Sequence, residues 1–196
     1  MFTGIIESTG SILRIEDKAQ DSRFVFDTGS VSLEDMHIGD SIAVNGACLS
    51  IIEKTENTFT ADLSKETLTL TTFSNLNEGS LINIERAMML SDRINGHLVS
   101  GHVDGIGQII NKQDEGRSIK FDIDIPEALK KYVSKKGSIT VDGVSLTVND
   151  IHDSVFSVNI IPHTLSETIF SEYTTGTEVN IEVDQIARYL EALISK

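Results

Sequence analysis

The chain repeats itself without gaps at an offset of 97 residues, and this repeat limits what it can fold into. Thr3-Gly4-Ile5-Ile6-Glu7 answers Ser100-Gly101-His102-Val103-Asp104. Ser41-Ile42-Ala43-Val44-Asn45-Gly46-Ala47-Cys48-Leu49-Ser50 answers Ser138-Ile139-Thr140-Val141-Asp142-Gly143-Val144-Ser145-Leu146-Thr147. Phe73-Ser74 returns as Phe170-Ser171, and Gly79 with Asn83-Ile84-Glu85 returns as Gly176 with Asn180-Ile181-Glu182. A unit of this length is too long for a solenoid repeat and suits a small domain. The chain therefore reads as one domain written twice, with two similar pockets. The places where the copies differ are where chemistry should be sought.

Each half is near the lower size at which a hydrophobic core suffices, so the halves are expected to support each other. A net charge of −14 repels phosphate backbones and anionic lipid, which argues against nucleic acid and membrane as partners. The single cysteine, Cys48, rules out an intramolecular disulfide and fits a reducing compartment. Met1-Phe2-Thr3-Gly4-Ile5-Ile6-Glu7 lacks a basic n-region and reads as no signal peptide. No apolar run approaches the length of a bilayer span. The expected location is the cytoplasm.

Strand signals dominate. In the first copy they are Ser11–Ile15, Arg23–Phe26, Ser41–Val44, Phe59–Leu63 and Leu81–Ile84. In the second they are Gln108–Ile110, Ile119–Ile123, Ser138–Val141, Val155–Ile161 and Glu178–Val183. Gly39, Asn45-Gly46, Gly79, Asp142-Gly143 and Gly176 mark turns. About six short strands per unit with regular turns predict a small closed antiparallel barrel. The fold class is thus all-β: two tandem six-stranded, Greek-key-like barrels over residues 1–97 and 98–183, with a C-terminal helix over 184–196.

Pro126–Val133 reads as a short helix with Pro126 in its first turn, and its counterpart is expected around Ser32–Met36. Thr67–Phe73 and Thr164–Phe170 each suit a helical turn. In the tail, Asp184 can cap a helix from Gln185 to Ser195. Ile186, Ala187, Leu190, Leu193 and Ile194 form one apolar stripe on it. So short a helix is not stable alone. It must pack on its own barrels or on the same helix of neighbouring subunits, and the residues do not choose between these.

Cys48 and Ser145 occupy matched places after Asn45-Gly46 and Asp142-Gly143. Each is a hydrogen-bonding group and a potential nucleophile, and each is also simply a small wall residue. His102 answers Ile5 and follows a glycine that lets backbone approach a ligand, so a neutral imidazole there can move a proton. Asp62-Leu63-Ser64-Lys65-Glu66-Thr67 answers Asn159-Ile160-Ile161-Pro162-His163-Thr164. The first of these loops carries donors and acceptors suited to a polyol or to ring carbonyls. Lys136, before Gly137, can reach an anionic or carbonyl group. His97 lies five residues from His102, not at a helical metal-ligand spacing, and no metal site is expected. No phosphate loop, dinucleotide fingerprint, zinc motif or G-x-S-x-G elbow is present.

Met1–Ile6, Asn45–Ser50, Lys65–Leu68, Ser100–Asp104, Asp142–Val148 and Ile161–Leu165, taken in this order, resemble the alpha chain of the riboflavin synthase family along the whole chain. The resemblance implies two six-stranded barrels and a C-terminal helix, assembled as a homotrimer through the helices. It implies dismutation of two 6,7-dimethyl-8-ribityllumazine molecules by four-carbon transfer, with no cofactor and no metal. It implies an active site between the N-terminal barrel of one subunit and the C-terminal barrel of another. An association with lumazine synthase is a possible further partner of such a chain.

Carried over from the family, ligand contacts in the first barrel fall on Gly4, Ile5, Ile6, Cys48, Leu49, Ser50, Asp62, Leu63, Ser64, Lys65, Glu66 and Thr67. In the second barrel they fall on Gly101, His102, Val103, Lys136, Ser145, Leu146, Thr147, Ile160, Ile161, Pro162, His163, Thr164 and Leu165. Ser50 stands where the family often has threonine, and His163 where some members have glutamate. The expected catalytic groups are His102 for proton transfer, Ser145 and Thr147 to position water or polarise the second-barrel ligand, and Cys48 as nucleophile or contact. The rival reading is a non-catalytic lumazine- or flavin-binding antenna protein of the same fold, but such relatives typically lose Ser-Gly-His, which is kept at Ser100-Gly101-His102. An oligonucleotide-binding barrel pair would need basic grooves and stacking aromatics, against −14 charge and 6% aromatic residues.

Overall fold

The computed structural model describes residues 1–18 and 21–194. Two antiparallel sheets carry the two copies. The first holds β1 (Ser8–Lys18), β2 (Asp21–Asp27), β3 (Ser41–Val44), β4 (Ala47–Ser50), β5 (Glu53–Lys54), β6 (Thr58–Leu63) and β7 (Leu81–Arg86) in the order β4-β3-β7-β1-β2-β6-β5. The second holds β8 (Gly105–Glu115), β9 (Ser118–Asp124), β10 (Ser138–Val141), β11 (Val144–Thr147), β12 (Asp150–His152), β13 (Val155–Ile160) and β14 (Glu178–Val183) in the matching order. The non-local pairings β3 with β7 and β2 with β6 are of Greek-key type.

Each sheet closes through one bent strand. β4 pairs with β3, and its continuation β5 pairs with β6. At the bend, Ile51 N–H donates to Asp40 O at 3.0 Å and Ile52 N–H donates to Thr60 O at 2.9 Å. The second copy bends alike at Val148 and Asn149, whose N–H groups bond Gly137 O and Ser157 O. Counted as bent strands, β4–β5 and β11–β12 give the six strands expected per barrel.

The strands follow their sequence pattern. β2 alternates buried Phe24 and Phe26 with partly exposed neighbours. Phe24, Phe26, Phe59 and Phe73 stack or meet edge-on in the first core, and Phe121, Phe170 and Tyr173 do so in the second. Leu13 and Ile110 break the pattern and stay exposed. Each is the extra residue of a β-bulge, between Ile12 and Arg14 and between Ile109 and Asn111.

The helices are short. α1 is Lys65–Leu70 and α2 is Pro162–Glu167, and each is followed by a 3₁₀ turn. The expected Pro126 helix is a 3₁₀ segment over Glu127–Tyr132. Ser32–Met36 forms no helix: one turn, Met36 N–H to Leu33 O, already buries both side chains. α3 spans Gln185–Ile194, with Asp184 Oδ1 accepting from Ile186 N–H at 2.9 Å as an N-cap. Ser195 of the expected helix lies outside the described residues.

The barrels meet across a pseudo-twofold axis. Asn45-Gly46 and Asp142-Gly143 have positive φ at all four residues, the two-residue hairpin geometry. The two turns sit back to back: a Cβ on Gly46 would lie 2.7 Å from Gly143 N. Asn83 Nδ2 donates to Asp142 O at 3.0 Å, and Asn180 Nδ2 donates to Asn45 O at 2.8 Å. Their Oδ1 atoms accept from N–H groups of the opposite barrel, Ile169 for Asn83 and Thr72 for Asn180.

One pair breaks this symmetry. Asp142 is buried, where copy one has Asn45, and it accepts from Tyr173 OH and from Asn180 N–H. Burial pushes the Asp142 carboxyl up to about 7 against those hydrogen bonds, and holds the Tyr173 hydroxyl well above its usual value. The native state thus binds this proton more tightly than the unfolded chain, whose aspartate titrates near 3.8. The resulting stability is full below that value and is lost as pH rises through about 7. Chemical denaturation of wild type beside Asp142→Asn should therefore show the wild type losing ground steadily between about pH 4 and 7, then a constant difference.

Candidate active site

Two buried carboxylates begin the site. Glu85 on β7 accepts from Thr3 N–H at 2.7 Å, Thr3 Oγ1 at 2.8 Å and Gly4 N–H at 3.0 Å. Glu182 on β14 accepts from Ser100 N–H at 2.7 Å and Gly101 N–H at 2.9 Å. Burial raises both carboxyls, and the hydrogen bonds from these segments pull them back down. Between the two segments Phe2 and Val99 form an antiparallel bridge at 2.8 and 3.1 Å.

From this anchor each segment crosses to the other barrel. Gly101 O accepts from Cys48 N–H at 2.8 Å, and Gly4 O accepts from Ser145 N–H at 2.8 Å. Both glycines have positive φ, and a Cβ on either would stand 2.6 Å from the Cβ of Cys48 or Ser145. Only glycine fits such an approach. Val103 packs on the first core and Ile6 on the second.

This corrects the grouping read in chain order. Gly101, His102 and Val103 belong with Cys48 on barrel 1, and Gly4, Ile5 and Ile6 belong with Ser145 on barrel 2. His102 is exposed, and the Gly101 before it is bonded to Cys48 rather than to Ser145. Arg188 of α3 pairs with Asp104 at 2.8 Å and donates to the His102 carbonyl at 3.4 Å. The segment that carries His102 is therefore tied to the C-terminal helix.

The remaining expected residues fall along the rims. β4 carries the half-exposed Cys48 and the exposed Ser50 outward, while Leu49 points into the core. The antiparallel register of β5 on β6, continued one strand-length, brings Ser50 alongside the Asp62–Ser64 end of β6. Asp62 is held by a two-pronged bond from Arg23 at 2.7 and 2.9 Å. Ser64 caps α1, accepting from Thr67 N–H at 3.2 Å, and Lys65 and Glu66 stay exposed. Leu63 and Ile160 are core residues, so only their main chain can face a ligand.

On barrel 2, Thr147 is exposed, Leu146 is half-buried against the core, and Ile161 and His163 are exposed where α2 begins. Pro162 opens α2, with Thr164 and Leu165 in its first two turns. Lys136 has φ 66, in the left-handed region, where copy one has Gly39. A lysine adopts that conformation at a cost that a glycine does not meet.

A cavity of about 850 Å³ is lined by Ile5, Ser41, Glu85, Arg86 and residues of the linker such as Met88, Asp92 and Asn95; neither Cys48 nor Ser145 lines it. Cys48 beside Gly101 and Ser145 beside Gly4, both partly exposed, form the two ledges of the site. Among the described residues no three His, Cys, Asp or Glu side chains are grouped to hold a metal, and no helix is long and apolar enough to cross a membrane.

Sequence reasoning passed over Glu85, Glu182, Asn83 and Asn180, although their survival in both copies was a signal. It also set aside His97, whose Nδ1 lies 2.7 Å from Ser145 Oγ.

The lumazine binding domain family matches residues 3–87 and 100–184, which reproduces the 97-residue offset. A riboflavin synthase of Photobacterium phosphoreum is 46% identical over 99% of this chain and 89% of its own. That of Bacillus subtilis (strain 168) is 46% identical over 100% of this chain and 91% of its own. A riboflavin synthase of Schizosaccharomyces pombe is 37% identical over 99% and 94%. The crystal structure of LumP complexed with riboflavin shares the fold, at TM-score 0.87 and 24% identity over 94% of this chain and 100% of that one. With two lumazine-binding domains and relatives of this similarity along its length, the chain belongs to the riboflavin synthase family of enzymes.

Proposed function

We propose that this chain takes two molecules of 6,7-dimethyl-8-ribityllumazine and moves a four-carbon unit from one to the other. The products are riboflavin and 5-amino-6-ribitylamino-2,4-pyrimidinedione. The observation that carries this reading is the pair of ledges. Each is built by the same crossing of a glycine carbonyl onto a strand N–H, yet one offers Cys48 and His102 and the other Ser145 and Ile5. Like cradles suit two copies of one compound, and unlike groups let those copies take unlike roles.

The chemistry asks for a base and an addition. The C7 methyl of the lumazine is acidic because its carbanion delocalises into the ring. His102 takes that proton, and Ser145 with Thr147 directs water or polarises the ring on barrel 2. Cys48 contacts or adds to the ring on barrel 1. Holding two rings face to face supplies much of the rate, since orientation replaces part of a bimolecular barrier.

Each ledge is partly exposed, which leaves room for a wall from elsewhere. We place barrel 1 of one subunit against barrel 2 of a neighbour in a homotrimer. α3 supports this. Its polar edge is tied to its own barrel, by Arg188 to Asp104 and by Glu191 to Lys131 and Tyr132. Its apolar edge stays uncovered, with Tyr189, Leu193 and Ile194 each 69% exposed or more. The single free cysteine fits a cytoplasmic enzyme.

The direct test incubates the purified protein with 6,7-dimethyl-8-ribityllumazine alone, with no cofactor added. Riboflavin should appear, and absence of product, or fluorescence of a tight complex without turnover, would sink the reading. His102→Ala should lower turnover by roughly 10²-fold or more with little change in lumazine affinity. Sedimentation should show a trimer that the double substitution Leu190→Glu with Leu193→Glu converts to a folded monomer of low activity.

A further inference from the structure

The two ledges differ by more than a thiol and a hydroxyl. Ser145 is gripped from both sides. Its N–H donates to Gly4 O at 2.8 Å, and its Oγ lies 2.7 Å from Nδ1 of His97. His97 is itself held, its N–H donating to Thr3 O at 3.1 Å. Gly96 runs so close over the serine that a Cβ there would stand 2.9 Å from Ser145 Oγ and 2.1 Å from Thr3 O. The main chain that carries the imidazole is therefore fixed against Thr3 and Ser145.

The first ledge has no such group. At the repeat offset His97 corresponds to Ile194, which ends α3. That helix is tied over barrel 2, by Glu191 to Lys131 and Tyr132 and by Arg188 to Asp104. Among the described residues no imidazole hydrogen-bonds the Cys48 thiol.

We infer that His97 is the positioning residue of Ser145, its Nδ1 accepting the Oγ–H and fixing the direction in which the hydroxyl presents itself to a ring on barrel 2. This rests on the reading of Ser145 as a group that faces the ligand. With the proton committed to His97, the lone pairs of Oγ face outward, as an acceptor for a water or for a developing positive centre. Were Nδ1 to carry a proton, it would donate to Oγ, and the hydroxyl would turn its hydrogen to the ligand instead. Burial pushes His97 below its ordinary value, and Asp184, the charged group bearing on it, pulls the other way. The ring is then neutral near pH 7, with one bare nitrogen.

Two measurements on the full chain test this. In the first, riboflavin formation is followed between about pH 5 and 8. Wild type should lose kcat/KM on an acid limb lying below the ordinary histidine range. His97→Asn, whose side-chain oxygen takes the place of Nδ1 and does not titrate, should keep most of the turnover and make the acid-side fall shallower, leaving only the part that belongs to His102 as the base. His97→Ala should cost about 10²-fold in kcat/KM with an unchanged melting temperature. An unchanged limb in His97→Asn, or wild-type rates in His97→Ala, would overturn the inference.

The second measurement needs no turnover. In protein carrying ¹⁵N-histidine, Nδ1 of His97 should resonate as an unprotonated nitrogen at neutral pH and shift on Ser145→Ala. A protonated Nδ1, or a resonance indifferent to Ser145→Ala, would also overturn it. If wild type yields no riboflavin while this signature appears, the catalytic reading falls and the His97–Ser145 pair stands.

Discussion

Glu85 and Glu182 hold the rest of the molecule in place. A carboxylate taken out of water is costly unless its oxygens are met by donors. Here the donors are the main-chain N–H groups of Thr3-Gly4 and Ser100-Gly101, which have no strand of their own to join. Each glutamate is the last but one residue of its strand, β7 or β14, and each thereby aims a glycine carbonyl at the other barrel. The Phe2–Val99 bridge between them gives both segments one shared register. Loss of either anchor would release a segment, then a ledge, then the side chains beside it.

Much of this was legible before any coordinates. The offset gave the duplication, the polar-Gly pairs gave the hairpins, and alternation gave the strands. Leu13 and Ile110 were not legible, because a bulge moves one residue off the periodicity that identifies a strand. The crossing was not legible either. Chain order places Gly4 with Cys48 and Gly101 with Ser145, while the structure exchanges them, and the exchange depends on two turns meeting across an axis. His97 lay where the second copy turns helical, so comparison of copies gave no hint of its role. Its partner is 48 residues further along.

The symmetry is close in the backbone and broken in a few side chains. Asn45 has become Asp142 with Tyr173 upon it, Gly39 has become Lys136, and Ile5 has become His102. The first change lies at the axis, the second at a strained turn, the third at a ledge. A duplicated scaffold keeps its shape through the residues that stay the same, such as Asn83 and Asn180. It gains chemistry through those that drift.

A single barrel with only its own leading segment would have no Gly101 strand to lay on its cysteine. It could cover that cysteine only by trading leading segments with an identical copy. The contact across the axis between the barrels thus has the form of an isologous interface, the same patch used from both sides, but within one polypeptide. Because the two patches are separate stretches of one chain, a change on one side is not copied to the other.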